Sequence, residues 1–494
     1  MNPTPSDLVR RFDRLRVLVL GDAILDSYLD GQSHRLCREA PVPIVTIANR
    51  TDVPGGGANT AANLSCLKAT VHFLSVVGDD AEARLLRRAL QAGGVATDGL
   101  ISAPARQTLA KSRVVASVQL LVRFDQGTGD PIDAETERAL LDRLTGLFAR
   151  VDAVIVSDYG YGVMTPGVID RLGRLQASSP RILVVDARNL PAYRFIGVTA
   201  VKPNYEEATA LLGPRAVGTS RLRADAIAPH GERILDLTGA QIAAVTLDTE
   251  GALVFERGRP AYRTYARPTP QSRAAGAGDT FVAALTLALA AGGNTPQAVE
   301  VASAAASIVV GRDGTSVCSR QQLTEFFTAS GKALDGLERV AARAAFHREQ
   351  GRRIVFTNGC FDILHRGHIT YLNRAKALGD LLVVGINSDE SVRRLKGDGR
   401  PINTLEDRVQ VLAALSCIDH IVPFDGDTPA ALIEAIRPDV FVKGGDYTID
   451  RLPEAALVEE LGGTVQLLPF VEDQSTTGII ERIRQAERRA AQGE

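Results

Sequence analysis

Short, continuous apolar runs recur along the chain, and each closes on Gly, Asp or Asn. They read "RVLVLGD", "AVIVSDYG", "RILVVDAR", "AAVTLD", "RIVFTNG", "LLVVGINSD" and "VFVKGGD". Longer stretches with helical apolar spacing separate them. The runs are continuous rather than alternating, which predicts strands buried on both faces. Strand and helix in alternation predict the α/β class, with parallel sheets between layers of helices. In such sheets ligands bind beyond the carboxyl ends of the strands, and polar residues cluster at those ends here.

One stretch breaks the alternation. "SRQQLTEFFTASGKALDGLERVAARAAFHREQGRR" is helical and polar and carries no chemical motif. After it the strand "RIVFTNG" opens a fresh series. The pattern therefore predicts a first domain over residues 1–320, a helical connector over 321–347 and a second domain over 348–494. At 494 residues the chain exceeds what one core supports. No internal repeat or low-complexity tract is visible.

Composition narrows the classes further. With 45% hydrophobic residues, 23% charged and a net charge of −2, there is no basic footprint for nucleic acid or an anionic membrane. Five scattered cysteines without a CxxC pair read as reduced thiols. The first apolar run, Val17 to Leu20, has the length of a strand, not of a signal peptide. The apolar helix around Phe281 to Ala291 is too short to span a bilayer. The expectation is a cytoplasmic protein with small-molecule partners.

Two glycine-rich turns carry the candidate chemistry. In "RAAGAGDTFVAAL", Gly276 and Gly278 let the backbone turn tightly at a helix start, where unpaired N–H groups bind anions. Asp279 follows at once. A carboxylate beside an anion hole suits proton removal from a hydroxyl that attacks a phosphoryl group. In "FTNGCFDILHRGHITYL", His365 and His368 are three apart at a helix start, so their side chains project to the same side. Gly367 admits a phosphate to the backbone. Two imidazoles and a positive helix end suit a pentacoordinate phosphorus. Zinc would need further ligands, and no nearby Cys/His set completes a tetrahedron.

The upstream turn has companions: "VLVLGDAILD", "VPGGGANTAANLSCLKATVHFLSVVGDD" and "AVKPNYEEA". Together and in this order they resemble the ribokinase-like (PfkB) carbohydrate kinases over about residues 14–320. The resemblance implies an α/β/α domain with a small β lid. It implies Asp279 as catalytic base and Ala275, Gly276, Ala277 and Gly278 as the anion hole. Asp26, Gly55, Gly56, Gly57 and Asn59 would hold sugar hydroxyls. Asn204 and Glu207 would organise Mg²⁺ through water, with no direct protein ligand to the metal, and Asp248 would lie near the nucleotide phosphates. Kinases of this kind often pair through the lid, which implies a homodimer. The chain departs from the pattern at Arg273-Ala274-Ala275, where an acidic residue and a threonine are usual, and a monovalent-cation site is put in doubt. Lys68 and Asp248 stand where glycine is common, and Tyr161 where a lysine is.

The downstream segment resembles the HxGH nucleotidyltransferases of the cytidylyltransferase-like group, over about residues 350–485. That implies a Rossmann-like domain with His365 and His368 at the catalytic centre and the loop Thr357 to Phe361 against the nucleotide. Lys396 and Arg400 would reach the triphosphate, Asp446 would lie near the base, and Ser475, Thr476 and Thr477 would contact ATP phosphates. The ordered pair of domains resembles the bifunctional D-glycero-β-D-manno-heptose 7-phosphate kinase and heptose 1-phosphate adenylyltransferase family. It implies phosphorylation at O1 with ATP and Mg²⁺, removal of the 7-phosphate by a separate phosphatase for which the chain shows no candidate, then transfer of an adenylyl group to heptose 1-phosphate to give ADP-heptose for the lipopolysaccharide core. The residues themselves leave open another sugar phosphate or CTP, and a sugar-sensing first domain without kinase chemistry.

Overall fold

In the computed structural model of the protein, residues 3–116, 119–213, 218, 220, 222–265, 274–310, 314–328, 332–334, 336–444 and 452–468 are described. The chain divides into two compact units, Met1–Glu325 and Phe326–Glu494.

The strands of the first unit are, in chain order, β1 (Arg16–Gly21), β2 (Ala23–Leu36), β3 (Pro43–Gly56), β4 (Thr70–Val77), β5 (Leu100–Ser102), β6 (Leu109–Ala116) and β7 (Gln119–Gln126). There follow β8 (Ala153–Asp158), β9 (Ile182–Ala187), β10 (Ala200–Val201), β11 (Ile242–Thr246), β12 (Ala252–Glu256), β13 (Tyr262–Thr264), β14 (Ala274–Ala275) and β15 (Gly314–Thr315). Among the described residues nine of them form one sheet in the order β13-β12-β11-β10-β9-β8-β1-β4-β5. It is parallel from β5 to β11 and ends in an antiparallel β11-β12-β13 edge. Leu18, Leu20, Val154, Val156, Leu183 and Val185 are buried in its core, as the continuous apolar runs predict. Helix Ala277–Ala290 is buried along most of its length, which fits its nearly uninterrupted apolar sequence.

A second, four-stranded sheet in the order β3-β2-β6-β7 forms the lid. Only Asp22 separates β1 from β2. The lid strands escape the apolar-run reading because only the start of β2 is buried and its outer half is exposed.

The second unit is a five-stranded parallel sheet of β16 (Ile354–Gly359), β17 (Leu381–Asn387), β18 (His420–Phe424), β19 (Val440–Gly444) and β20 (Thr464–Leu468). Its order is β18-β17-β16-β19-β20. The direction of winding reverses between β16 and β19, which places the ligand crevice at their carboxyl ends. The polar stretch expected to act as a connector is not uniform. Helix Leu337–Glu349 packs through Val340 and Ala344 into the second core, and Ala333 bridges to Ile421 in β18. Those residues therefore belong to the second unit, because their apolar face needs its sheet. No helix among the described residues is long and apolar enough to cross a membrane.

Two departures from the kinase pattern have a backbone explanation. Lys68 has φ 74 and Asp248 has φ 52, a left-handed conformation that glycine adopts without strain. Lys68 sits just past helix Gly57–Cys66 with an exposed side chain that adds little packing. Lys68→Gly is expected to stabilise the first unit by about 0.5–1 kcal/mol, read as a higher urea midpoint for its unfolding.

Candidate active sites

In the first unit the chemistry gathers where β1, β8, β9 and β10 end. Gly276 has φ 90 and starts helix Ala277–Ala290. A Cβ on it would fall 2.5 Å from Asn59 Nδ2. Asp279, in the first turn of that helix, is buried at 7% exposure. Asn59 Nδ2 donates to its Oδ2 at 2.6 Å and the Tyr159 hydroxyl donates to its Oδ1 at 2.7 Å. Burial raises the Asp279 pKa, and the two hydrogen bonds and the Lys202 charge only partly oppose it. Asp279 is thereby a stronger base than a carboxylate in water.

Lys202, which follows β10, points to the same place. A Cβ built on Gly278 would lie 3.5 Å from its Nζ, and Asp186 at the end of β9 is 3.3 Å from it. Burial alone would lower the Lys202 pKa, but Asp186, Glu207 and Asp279 outweigh it and keep the ammonium charged. Asp186 is pushed up to about 7 by burial, with Lys202 opposing.

The expected sugar-side residues lie across from this group. Asp26 is in β2, and Arg113 Nη1 of β6 donates to its Oδ1 at 2.7 Å. Gly55 leaves room for that carboxylate, since a Cβ there would fall 2.4 Å from Asp26 Oδ2. Gly57 N–H donates to the Asp22 carbonyl. Asn59 gives one N–H to Asp279, and its Oδ1 accepts from Asn63 Nδ2 at 3.3 Å. Asp22 Oδ2 accepts the N–H groups of Tyr159 and Tyr161, and burial pushes its pKa to about 6. Tyr161, at the position where lysine is common, lies under two cations, with Lys111 at 5.6 Å and Arg188 at 5.5 Å from its ring.

On the nucleotide side, Asn204 caps helix Tyr205–Leu212 in a capping box. Its N–H donates to Glu207 Oε2 and its Oδ1 accepts the Glu207 N–H, both at 2.8 Å. Glu207 Oε1 takes no part in the box. Asp248 is exposed and ion-paired with Arg223. Arg273 lies outside the described residues.

In the second unit β16 feeds the loop that opens helix Arg366–Lys376, with His365 as its N-cap and His368 in its first turn. The two rings are 4.0 Å apart, as their spacing predicts. Both Nδ1 atoms are buried without a hydrogen-bond partner, and their Nε2 atoms have no protein partner among the described residues. Burial lowers both pKa values, His368 to about 4 with His365 adding to the effect, so both rings are neutral at pH 7. Phe361 packs against His368 at 5.5 Å. Thr357 is buried, its hydroxyl 2.6 Å from that of Tyr371.

Arg400 does not stand free as expected. It is ion-paired with buried Asp362, which also accepts the N–H groups of Ile402 and Asn403. Lys396 ends helix Asp389–Lys396 and is exposed. Asp446, Ser475, Thr476 and Thr477 lie outside the described residues. Among the described residues no three His, Cys, Asp or Glu side chains are grouped to hold a metal.

Two family models match the two units. A pfkB family carbohydrate kinase model covers residues 14–322 and a cytidylyltransferase-like model covers 356–484. The chain is 40% identical to the bifunctional protein HldE of Geobacter sulfurreducens, covering 96% of both chains. It is 39% identical to the Mesorhizobium japonicum HldE over 98% of both. The chain belongs to the HldE family of bifunctional proteins. Among solved structures, the first unit shares its fold with Escherichia coli phosphofructokinase-2 in complex with substrates and products: TM-score 0.54, 21% identity, 64% of this chain and 99% of that one. As a member of the HldE family the chain is an enzyme with a kinase and a nucleotidyltransferase domain, and ATP is the nucleotide such domains use.

Sequence reasoning on this HldE-family chain missed Tyr159, Asp186, Lys202 and Asp362. Each occupies a strand end or the loop after it, so "SDY", "VDAR", "VKPN" and "FD" held the signal. Polar residues at or just past the ends of buried runs are the cue. For the histidines, exchange of the imidazole C2 proton followed by mass spectrometry is expected to titrate His365 below the ordinary value of about 6.5 and His368 near 4; midpoints at the ordinary value would mean open, solvated rings.

Proposed function

We propose that the first unit phosphorylates D-glycero-β-D-manno-heptose 7-phosphate at O1 with ATP, giving the 1,7-bisphosphate and ADP. The second unit joins ATP and heptose 1-phosphate into ADP-heptose and pyrophosphate, a precursor of the lipopolysaccharide core. The observation that carries the reading is the pairing of two phosphate-binding helix starts in a chain related to HldE proteins along its whole length.

In the first reaction Asp279 takes the proton of the sugar hydroxyl, whose oxygen then attacks the γ-phosphorus. Asn59 and Tyr159 fix the orientation of that carboxylate. Backbone N–H groups of Ala275 to Gly278 hold the transferring group, and Lys202 adds a charge beside them. Asp26 and the turn from Gly55 to Gly57 hold the sugar. A hard cation such as Mg²⁺ suits the oxygen donors present, with Asn204 and Glu207 organising it through water. It would neutralise the polyphosphate.

In the second reaction His365 and His368 donate hydrogen bonds to the α-phosphoryl oxygens. Thr357 and Phe361 shape the loop, and Lys396, Arg400, Asp446, Ser475, Thr476 and Thr477 surround the nucleotide. Asp248 lies beside the phosphates in the kinase. The substrates are polar and the proposed compartment is the cytoplasm.

The enzyme pairs through its lid as a homodimer. Leu36, Val42, Ile47, Leu120, Val122 and Phe124 of the lid region are exposed apolar side chains, and a second copy would cover them. Val122→Asp with Phe124→Asp is expected to halve the mass measured by light scattering.

Asp279→Asn is expected to lower sugar-dependent ADP formation at least ~100-fold and to leave pyrophosphate release unchanged. His365→Ala is expected to do the reverse. Loss of both activities in a folded variant would overturn the two-site assignment. Analysis of the products by ³¹P NMR with heptose phosphates, other sugar phosphates, ATP and CTP tests the substrates.

A further inference from the structure

The second site must bring together two anions, a sugar phosphate and a nucleoside triphosphate. Its two histidines are neutral, so they donate hydrogen bonds without supplying charge. Arg400 is already neutralised by Asp362, and Lys396 is exposed to water and screening salt. Among the described residues the cation still to be accounted for is Lys443.

Lys443 is at the right place. Thr357 in β16 and Val442 in β19 are register partners, so Asn358 and Lys443 come next along the two strands between which the winding reverses. Lys443 Nζ donates to Asn358 Oδ1 at 2.8 Å, across the mouth of the crevice. The histidine helix is tied to the same two strands one register pair earlier, from the other face of the sheet. Tyr371 donates its hydroxyl to the Val442 carbonyl at 3.0 Å and pairs with the Thr357 hydroxyl. His368 precedes Tyr371 by three residues and so shares its helix face.

Among the described residues the side chain is held without an ion pair. Its hydrogen-bond partner among the described residues is a neutral amide, and the ion pairs of this unit use Lys376, Arg394, Arg400 and Arg408 instead. Burial lowers its pKa, with Glu454 and Cys360 opposing, which marks a cation that has given up water and gained no full counter-charge. An ammonium in that state gains most from an arriving phosphate.

We propose that Lys443 is a catalytic residue of the nucleotidyl transfer, its ammonium binding a non-bridging oxygen of the α-phosphoryl group opposite His365 and His368. As a sugar-phosphate oxygen bonds to the α-phosphorus, the bond to the bridging oxygen breaks and pyrophosphate leaves with that electron pair. Lys443 stays protonated throughout and balances the charge that builds on the equatorial oxygens. Asn358 is a positioning residue that aims the ammonium.

The inference rests on the nucleotidyltransferase reading of this unit, and pyrophosphate release by the unaltered protein, measured alongside, reports on that reading separately. Lys443→Met is expected to lower kcat for pyrophosphate release from ATP and heptose 1-phosphate about 100-fold or more, with KM for ATP changed less than about fivefold. Lys443→Arg is expected to keep activity within about tenfold of the unaltered enzyme. Sugar-dependent ADP formation by the first unit stays constant and confirms that the chain is folded there. A Lys443→Met rate within about threefold of the original would overturn the proposal. A second measurement needs no variant. Acetic anhydride labelling of the full chain, read by peptide mass spectrometry, is expected to show ATP with Mg²⁺ slowing acetylation of Lys443 about tenfold or more. An unchanged labelling rate under saturating ATP would overturn it equally.

Discussion

A buried carboxylate is costly unless its neighbours justify it, and the first unit is arranged around one. Asp279 sits in the first turn of an apolar helix, where the helix dipole favours negative charge. Asn59 from the helix that follows β3 and Tyr159 just past β8 each donate to one of its oxygens. Lys202 approaches from the end of β10. Four separate segments must dock correctly before these groups meet, so a displaced helix start would leave a buried charge without partners. The fold and the reaction therefore place the same demand on the chain.

The charges around Asp279 form a graded set rather than a single pair. Asp186, held at about 7, sits beside Lys202 and keeps it ionised in a dry setting. Lys202 in turn limits how far burial raises Asp279. The net effect is a base of increased strength next to a fixed cation, two properties that phosphoryl transfer from ATP to a hydroxyl uses in one step.

The second unit meets a related problem with a different division of labour. Its parallel sheet brings the ends of β16 and β19 together, and the helix that starts with His365 is pinned above them by Tyr371. Burial keeps the imidazoles uncharged, and Asp362 neutralises Arg400, so the charge at this crevice is proposed to come from Lys443. Asp362 shows how much of this is support: it ties Arg400 and the chain at Ile402 and Asn403 to the histidine loop. Unlike the carboxylate of the first unit, it is fully engaged in holding structure.

Much of this was legible along the chain. Continuous apolar runs fixed seven strands because a strand buried on both faces leaves a local mark, and the His365–His368 spacing fixed their approach because helical geometry is local. The long lid strands, half-exposed and without a clean period, left no such mark. Neither did the docking of helix Leu337–Glu349, whose polar face disguised the apolar one that the second sheet requires. Partners far apart in sequence were decided only by tertiary structure: Asn59 with Asp279, Lys202 with Asp186, Asp362 with Arg400 and Lys443 with Asn358. Sequence alone determined which residues could do chemistry, since that depends on residue type and local turn. Which of them are charged, neutral or already taken depends on burial and on neighbours brought in by other strands, and only the folded chain sets those.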